Sequence, residues 1–373
     1  MARYKRRPTA DSGMPGLFDD LEMIFPEARA IPDVPEIKRA AERMAAALDK
    51  KETAPAGGYD FEVKGSGADR GRRELFANGD TFSPMEDVPS ADRLQFISFG
   101  SGSSGNCAYI GDSESGLLID AGVDSAHVML ELKRHGIPME RVRGILLTHD
   151  HSDHVRFVYS FVRKYRHIGV YCTPRTLNGL LRRHSISNRL KDYHRAIYKE
   201  HPFRVGNFTA LAFEVLHDGT DNAGFFITHG PHHIAVCTDL GCVSERADFY
   251  MRQANYLMIE ANYDAAMLAA GSYPEYLKAR IRSDNGHLDN CITAAYLAEI
   301  YSDSLKNIFL CHLSKDNNTP EIALRVVEDA LLASGKLKAV GDCSGSPYSR
   351  LAPVQLMALP RFDSSGLVTL RLE

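Results

Sequence analysis

Residues 144–157, GILLTHDHSDHVRF, place three histidines and two aspartates within six positions, directly after an apolar run. GILLT predicts a buried strand, and HVRF begins a predicted helix. A turn between strand and helix can aim neighbouring side chains into one cavity. The candidate ligands in this turn are His149, His151, Asp153 and His154. A histidine-rich polar loop is the alternative, but HxHxDH after an apolar strand favours a metal site, because imidazole and carboxylate groups bind divalent ions.

Three further candidate ligands stand at the ends of strands predicted downstream. They are His217 in FEVLHDG, Asp239 in IAVCTDLG and His312 in IFLCHLS. Each would be unremarkable alone, but together with the first cluster they exceed what one catalytic ion needs. The sequence therefore predicts two divalent ions, and these ligand types do not decide between zinc and manganese.

The composition is that of an ordinary globular protein. The chain has 373 residues, 44% of them hydrophobic and 25% charged, with a net charge of −4. No apolar run approaches the roughly 18 residues of a membrane span, and the N-terminus lacks the apolar segment of a signal peptide. Seven cysteines occur without a CxxC pair, which indicates reduced thiols and predicts a cytoplasmic protein without membrane association.

The composition and hydrophobic pattern of the sequence change near residue 93. Residues 1–92 predict a partly helical, linker-like extension with a helix over 36–51. The apolar island 13–25 is either a docking peptide for a protein partner or a segment that packs on its own domain. Residues 93–373 alternate strand meanders with helices, including one continuous helix predicted over 154–166, and this pattern predicts a layered α/β sandwich.

The order HxHxDH, then His, Asp and His, resembles the metallo-β-lactamase superfamily over about residues 93–345. The resemblance implies a four-layer αββα sandwich. It also implies that Asp120 in LLIDAG supports the metal loop without binding an ion. In that superfamily one ion would be held by His149, His151 and His217, and the other by Asp153, His154 and His312, with Asp239 bridging them.

Three longer stretches resemble the YycJ/WalJ group of cytoplasmic metallohydrolases. They are SFGSGSSGNCAYI, IEANYDAAML…GSYPEYLKARI…GHLDN and HLSKDNN. This resemblance implies a two-metal phosphodiesterase that acts as a 5′-to-3′ exonuclease on single-stranded DNA in DNA repair, with RNA as a further substrate to consider. The alternatives are a small-molecule or cyclic-nucleotide phosphodiesterase of the same superfamily and a non-catalytic adaptor recruited through residues 1–92.

His287 in NGHLDN and Glu260 in MIEANY are the candidate proton-transfer pair. They resemble a histidine and a glutamate of tRNase Z, in which the histidine donates a proton to the leaving 3′-oxygen. A carboxylate behind an imidazole would orient the ring and favour its charged form. Two alternatives stay open for His287, which are helix capping and metal binding. Asp153 could instead shuttle protons while it binds metal.

Substrate contacts are predicted around the metal motif. The loop 100–106, with Ser103 and Asn106, could bring backbone N–H groups to a phosphate or be a plain tight turn. Lys315 and Asn317 follow His312, and the lysine is either a phosphate contact or a solvated charge. Residues 133–204 hold 16 Lys and Arg against 5 Asp and Glu, which suits single-stranded nucleic acid unless these are only basic solvent faces of helices.

Overall fold

The structure is a computed structural model, and it describes residues 93–343, 346, 349 and 351–372. The extension predicted over 1–92 lies outside the described residues. So do its helix over 36–51 and its docking segment 13–25. In the described part of the chain, no helix is long and apolar enough to cross a membrane.

The first sheet has seven strands in the order β15-β1-β2-β3-β4-β5-β6. Its strands from β15 to β3 pair antiparallel, and those from β3 to β6 pair parallel. Their bounds are β1 (Leu94–Gly100), β2 (Cys107–Gly111), β3 (Gly116–Ile119), β4 (Val142–Leu146), β5 (Gly169–Cys172), β6 (His194–Ala196) and β15 (Val368–Leu370).

The second sheet has eight strands in the order β13-β14-β12-β11-β10-β9-β8-β7. The meander from β7 to β10 is antiparallel, and β10, β11, β12, β14 and β13 run parallel. Their bounds are β7 (Pro202–Val205), β8 (Phe208–Glu214), β9 (Ala223–His229), β10 (His232–Cys237), β11 (Tyr256–Glu260), β12 (Asn307–Cys311), β13 (Val340–Gly341) and β14 (Val354–Ala358).

Helices connect the strands. Their bounds are α1 (Ser125–Arg134), α2 (Ser152–Val155), α3 (Val158–Lys164), α4 (Pro174–Arg183), α5 (Glu245–Met251), α6 (Ala265–Ala270), α7 (Glu275–Ile281), α8 (Asn290–Ile300) and α9 (Pro320–Ala333). Short 3-10 helices span Met139–Arg141 and Asn188–Tyr193.

The core has two layers of apolar side chains. One layer fills the space between the sheets, where the rings of Phe96 and Phe309 stack with centroids 4.2 Å apart. The other lies between the first sheet and helices α1 to α4, and includes Phe161 and Leu180. Helices α5 and α9 contact the second sheet, and α8 packs against α9. The expected four-layer αββα sandwich is therefore confirmed.

One local prediction is wrong. The single helix expected over 154–166 is broken into α2 and α3 by a turn at Arg156 and Phe157. The Phe157 backbone N–H donates to the carbonyl oxygen of Ala121 at 2.9 Å. The chain is thereby tied to the segment after β3, and the break keeps the turn that carries the metal motif close to the end of that strand.

Candidate metal centre

The loop after strand β4 carries the metal motif, and Asp120 at the end of β3 fixes it. The Thr148 N–H donates to Asp120 Oδ1 at 2.8 Å, and Asp120 N–H donates to the carbonyl of Leu146. Asp120 has φ of 60°, a left-handed conformation that is uncommon for residues other than glycine and occurs often at functional sites. Its Oδ2 lies 2.7 Å from His154 Nδ1, which leaves His154 Nε2 directed away from Asp120. This is the supporting position that the resemblance implies for Asp120.

Backbone contacts bring the first turn of α2 against two segments, the loop before β2 and the segment after β3. The Asn106 N–H donates to the Asp153 carbonyl at 2.7 Å, and the Ala121 N–H donates to the His154 carbonyl at 2.7 Å. Gly122 lies so close to Asp153 that a Cβ at this position would overlap the Asp153 carbonyl oxygen. Glycine is therefore required at position 122, because only its backbone permits this approach.

The structure brings the seven predicted ligands together. Their candidate ligand atoms lie within 4.8 Å of one another in three groups, which are His149 with His151 and His217, Asp153 with His154 and His312, and His149 with His154 and Asp239. The residues come from the ends of strands in both sheets, so the site lies where the carboxyl ends of these strands meet. A fourth group joins Asp239 and His312 to Glu260 and His287.

Hydrogen-bond partners at Nδ1 fix the orientation of two of these imidazole rings. His149 Nδ1 lies 3.0 Å from Thr148 Oγ1, and His217 Nδ1 lies 2.9 Å from the carbonyl oxygen of Gly286. His217 Nε2 then lies 3.4 Å from His151 Nδ1. Such outer contacts fix the orientation of an imidazole and are typical of histidines that bind metal.

Asp239 contacts both groups of histidines. Its Oδ2 lies 3.1 Å from His154 Nε2, while its Oδ1 lies 3.1 Å from His312 Nδ1 and 3.7 Å from His217 Nε2. Burial raises the pKa of Asp239, but the charges of His312 and His154 outweigh burial and hold that pKa well below its usual value. The Asp239 carboxylate is therefore ionised and stands between the two groups, as a bridging ligand would.

The buried carboxylate of Glu260 joins His287 to the centre. Glu260 Oε1 lies 2.7 Å from His287 Nδ1 and 2.8 Å from His312 Nδ1. Its Oε2 accepts from the N–H groups of Leu240 and Leu288. Burial raises the pKa of Glu260, but His287 and His312 more than offset this and keep it below its usual value. The His287 side chain is 20% exposed, so its ring lies at the rim, where a substrate can reach it.

The donor set fits divalent metal ions. His149 Nε2 and His312 Nε2 are buried and, among the described residues, have no hydrogen-bond partner. Buried polar atoms are nearly always paired, and an unpaired one costs about 1–3 kcal/mol. Imidazole nitrogens and carboxylate oxygens in such positions suit zinc, manganese or iron. Binding of a divalent metal therefore accounts for atoms that would otherwise destabilise the fold.

The four predicted substrate contacts differ in exposure. Ser103 and Lys315 are exposed, whereas Asn106 and Asn317 are buried. Asn106 Nδ2 lies 2.9 Å from His154 Nε2 and donates to an Asp153 carboxylate oxygen at 3.2 Å. The structure thus packs Asn106 against the metal loop and leaves Ser103 exposed to solvent.

Asp150 has a structural role that sequence analysis missed. It is fully buried, and its carboxylate accepts from the backbone N–H of Thr220 at 2.9 Å and from the Thr220 hydroxyl at 2.5 Å. Its carbonyl oxygen lies 2.6 Å from His184 Nε2. Asp150 therefore connects the metal loop to the segment after α4. The one local feature that could have indicated this role is its position between His149 and His151.

Asp218 is the second residue that sequence analysis missed. Its Oδ1 lies 3.3 Å from His151 Nε2, and its Oδ2 accepts from Arg280 Nε at 2.7 Å. Asp218 follows the candidate ligand His217 directly, which is a signal that it lies near the site. Arg280 lies 62 positions further along the chain, and no local pattern indicates this pair.

The comparison with known families agrees with this geometry. The model of the Beta-lactamase superfamily domain matches residues 116–306, which is half of the chain and includes every candidate ligand except His312. The chain belongs to this superfamily. The structural resemblance extends to Zn(2+)-bound PqqB from Methylobacterium extorquens, with a TM-score of 0.51 and 18% identity over 74% of this chain and 100% of that one. At this identity the likeness shows the shared fold.

Two relatives are similar in sequence as well. Exodeoxyribonuclease YycJ of Bacillus anthracis is 35% identical over 242 residues, which cover 65% of this chain and 90% of that protein. Exodeoxyribonuclease WalJ of Streptococcus pneumoniae serotype 2 is 33% identical over 224 residues, which cover 60% and 82%. The chain is thus of the YycJ/WalJ type. Together with the ligand groups, this makes it a metal-dependent hydrolase of the nuclease or phosphodiesterase class.

Proposed function

We propose that this protein is a two-metal phosphodiesterase that acts as a 5′-to-3′ exonuclease on single-stranded DNA. The observation that carries the proposal is Asp239, whose two oxygens contact the two groups of candidate ligands. The names of the two relatives support DNA as the substrate. The proposal includes a cytoplasmic location and a role in DNA repair. In it, residues 93–373 form the catalytic domain and residues 1–92 are an extension.

The ligand roles follow the observed groups. His149, His151 and His217 would hold one ion, Asp153, His154 and His312 the other, and Asp239 would contact both. Two zinc or manganese ions held there would activate water and neutralise negative charge on the phosphodiester. Asp120 and Thr148 keep the loop and the His154 ring in position.

His287 is the proposed proton donor. When the bond between phosphorus and the 3′-oxygen breaks, the leaving oxygen takes a proton from His287. Glu260 holds Nδ1 of the ring at 2.7 Å and leaves Nε2 to carry that proton. Asp153, at 3.6 Å from His312, is the alternative proton carrier.

The exposed residues Ser103 and Lys315 are the proposed phosphate contacts at the rim. Asn106 and Asn317 are buried at 2% and 1% exposure, which favours positioning roles for both. Asn106 would orient Asp153 and His154 through its amide group. Asn317 would order the segment after His312 through its contacts with Ser314.

The basic region supports a polymeric substrate. Arg163, Arg175, Arg182 and Arg189 are exposed, so the excess of cations over 133–204 faces solvent. A small diester would not require these charges, whereas single strands bind through contacts to successive phosphates. This favours a nuclease over the small-molecule phosphodiesterase.

The test is cleavage of end-labelled single-stranded DNA and RNA with added Mn²⁺ or Zn²⁺, with bis(p-nitrophenyl) phosphate in parallel. Stepwise shortening of the DNA from its 5′ end is expected. Hydrolysis of only the small diester would replace the nuclease with a small-molecule phosphodiesterase. No hydrolysis by the metal-loaded protein, with either class of substrate, would favour the adaptor.

A further inference from the structure

A cleft lined by basic and amide side chains lies beside the candidate metal centre. This basic cleft has a volume of about 480 Å³ and is lined by one apolar residue, Leu181, and by six polar or basic residues, Arg175, Asn178, Arg182, Asn188, Lys191 and Thr220. Its three cations are exposed, and within the described residues none of them forms an ion pair with a carboxylate. The cleft has no acidic lining residue, so its charge is available to an anion.

The basic cleft is tied directly to the metal loop. Thr220 lines the cleft and also donates both of its hydrogen bonds to the carboxylate of Asp150. Asp150 stands between the candidate ligands His149 and His151. Helix α4 packs so closely here that a Cβ on Gly179 would overlap Asp150 Oδ2. A ligand in the cleft is therefore held at a fixed position relative to the metal centre.

The cations of the cleft are arranged along an extended face. Arg175, Asn178 and Arg182 are spaced i, i+3 and i+7 on α4, which places them on one side of the helix. Seven residues at about 1.5 Å each separate the two arginines by about 10 Å along the axis. Lys191 adds a third cation from the segment that follows. This length exceeds what one phosphate requires and suits several phosphates in succession.

We propose that the basic cleft binds the sugar-phosphate backbone of a single-stranded nucleic acid, beyond the bond that is cleaved. The inference rests on the proposed nuclease function and adds where the strand lies. Lys and Arg contacts with phosphates supply affinity that is independent of sequence and weakens with salt. The lining has no aromatic side chain on which bases could stack, so the contacts are to the backbone.

The test compares two triple variants that remove the same charge. One is Arg175→Ala/Arg182→Ala/Lys191→Ala in the basic cleft. The control is Arg325→Ala/Lys338→Ala/Arg371→Ala, whose side chains are exposed, lie outside the basic region 133–204 and do not line the cleft. The metal-loaded proteins bind a fluorescent phosphorothioate oligonucleotide, which resists hydrolysis, at several salt concentrations. The same proteins are assayed with single-stranded DNA and with bis(p-nitrophenyl) phosphate.

The cleft variant is expected to bind the oligonucleotide at least about 10-fold more weakly. Its plot of log affinity against log salt should be shallower by about 2, because each lost phosphate contact removes about 0.7. Its kcat/KM with the small diester should stay within about twofold of the parent protein, since that diester does not reach the cleft. The control variant should match the parent protein in all three measurements.

Two failures are distinguishable. If the cleft variant binds and degrades single-stranded DNA as the parent protein does, the cleft proposal is wrong and the nuclease function stands. If the parent protein hydrolyses only the small diester and does not bind the oligonucleotide, the proposed function fails, and the cleft proposal fails with it. An equal loss of affinity in the control variant would also overturn the cleft proposal, because net charge alone would then explain the binding.

Discussion

The candidate metal centre and the basic cleft are adjacent, yet the two regions hold their charges in different ways. In the metal centre, His154 and Asp239 are buried and depend on each other, and unpaired nitrogens face inward. In the cleft, Arg182 and Lys191 face water. Removing one partner of a buried charged pair typically costs about 3–5 kcal/mol, whereas an exposed charge contributes little to stability. Substitutions in the first region should therefore change metal content and catalysis, and those in the second should change only affinity for a polyanion.

The largest expected effect comes from Asp239→Ala. It removes the carboxylate that contacts both ligand groups, so hydrolysis of every substrate should fall by at least about 10³-fold. Metal content, measured by inductively coupled plasma mass spectrometry, should drop below two ions per chain, while circular dichroism shows a folded protein. The control is Asp248→Ala, which removes a buried carboxylate paired with the partly exposed Arg252 outside the site and should leave the metal content unchanged. Substantial activity of Asp239→Ala would contradict the two-metal role.

The next largest effect separates chemistry from metal binding. His287→Ala should slow cleavage of DNA by about 10²–10⁴-fold, because the leaving 3′-oxygen loses its proton donor. Hydrolysis of bis(p-nitrophenyl) phosphate should fall far less, since p-nitrophenolate leaves without a proton. Metal content should stay at two ions per chain, and the exposed His201→Ala serves as the control. Loss of an ion from His287→Ala would instead make His287 a ligand, as its place beside Asp239 and His312 permits.

The pH dependence of metal affinity tests the buried charges themselves. Burial lowers the pKa of His312, but the charge of Asp239 and the neighbouring carboxylates of Asp153 and Glu260 raise it to about 10. Asp239 and Asp120 likewise overcome burial and raise the pKa of His154 well above its usual value. Both shifts favour the protonated form of these rings in the metal-free protein, so metal binding should release protons from both.

The direction of the pH dependence of metal affinity follows from this release of protons. Lowering the pH from 8 to 7 should weaken metal binding by about 100-fold, which is about tenfold for each proton released. Titration calorimetry in two buffers of different ionisation enthalpy would count the protons. An affinity that is the same at both pH values would show that these rings are neutral before metal binds. The triple variant of the basic cleft should give the same pH dependence as the parent protein.

The smallest expected effect is that of Gly179→Ala, which probes the junction of the two regions. The added Cβ would overlap Asp150 Oδ2 and crowd Thr220, so α4 must shift away from the metal loop. We expect a loss of about 1–3 kcal/mol in the free energy of unfolding and weaker oligonucleotide binding, with metal content retained. Gly230→Ala, at a φ of 53° with open space around it, controls for strain outside the site. Unchanged oligonucleotide affinity in Gly179→Ala would show that the cleft and the metal loop act independently.

How far the sequence predicts the site depends on how local each contact is. His149, His151, Asp153 and His154 share one turn, so their spacing alone indicates a metal loop. His217, Asp239 and His312 come from separate strands, and their place at predicted strand ends and the family resemblance joined them to the turn. The αββα layers followed from the family resemblance.

The features that sequence analysis missed depend on contacts between distant segments. The break at Phe157 is caused by its hydrogen bond to Ala121, which helical periodicity does not reveal. The burial of Asn106 follows from its packing against Asp153 and His154, 47 and 48 positions away. A Gly/Ser loop indicates a turn but does not show which of its side chains points inward.

The most direct measurement is anomalous X-ray diffraction from crystals of the metal-loaded protein at the absorption edge of the bound metal. The two-metal account predicts two peaks, one within reach of His149, His151 and His217 and the other within reach of Asp153, His154 and His312. Asp239 should contact both. A single peak, or a peak held by Glu260 and His287, would contradict it.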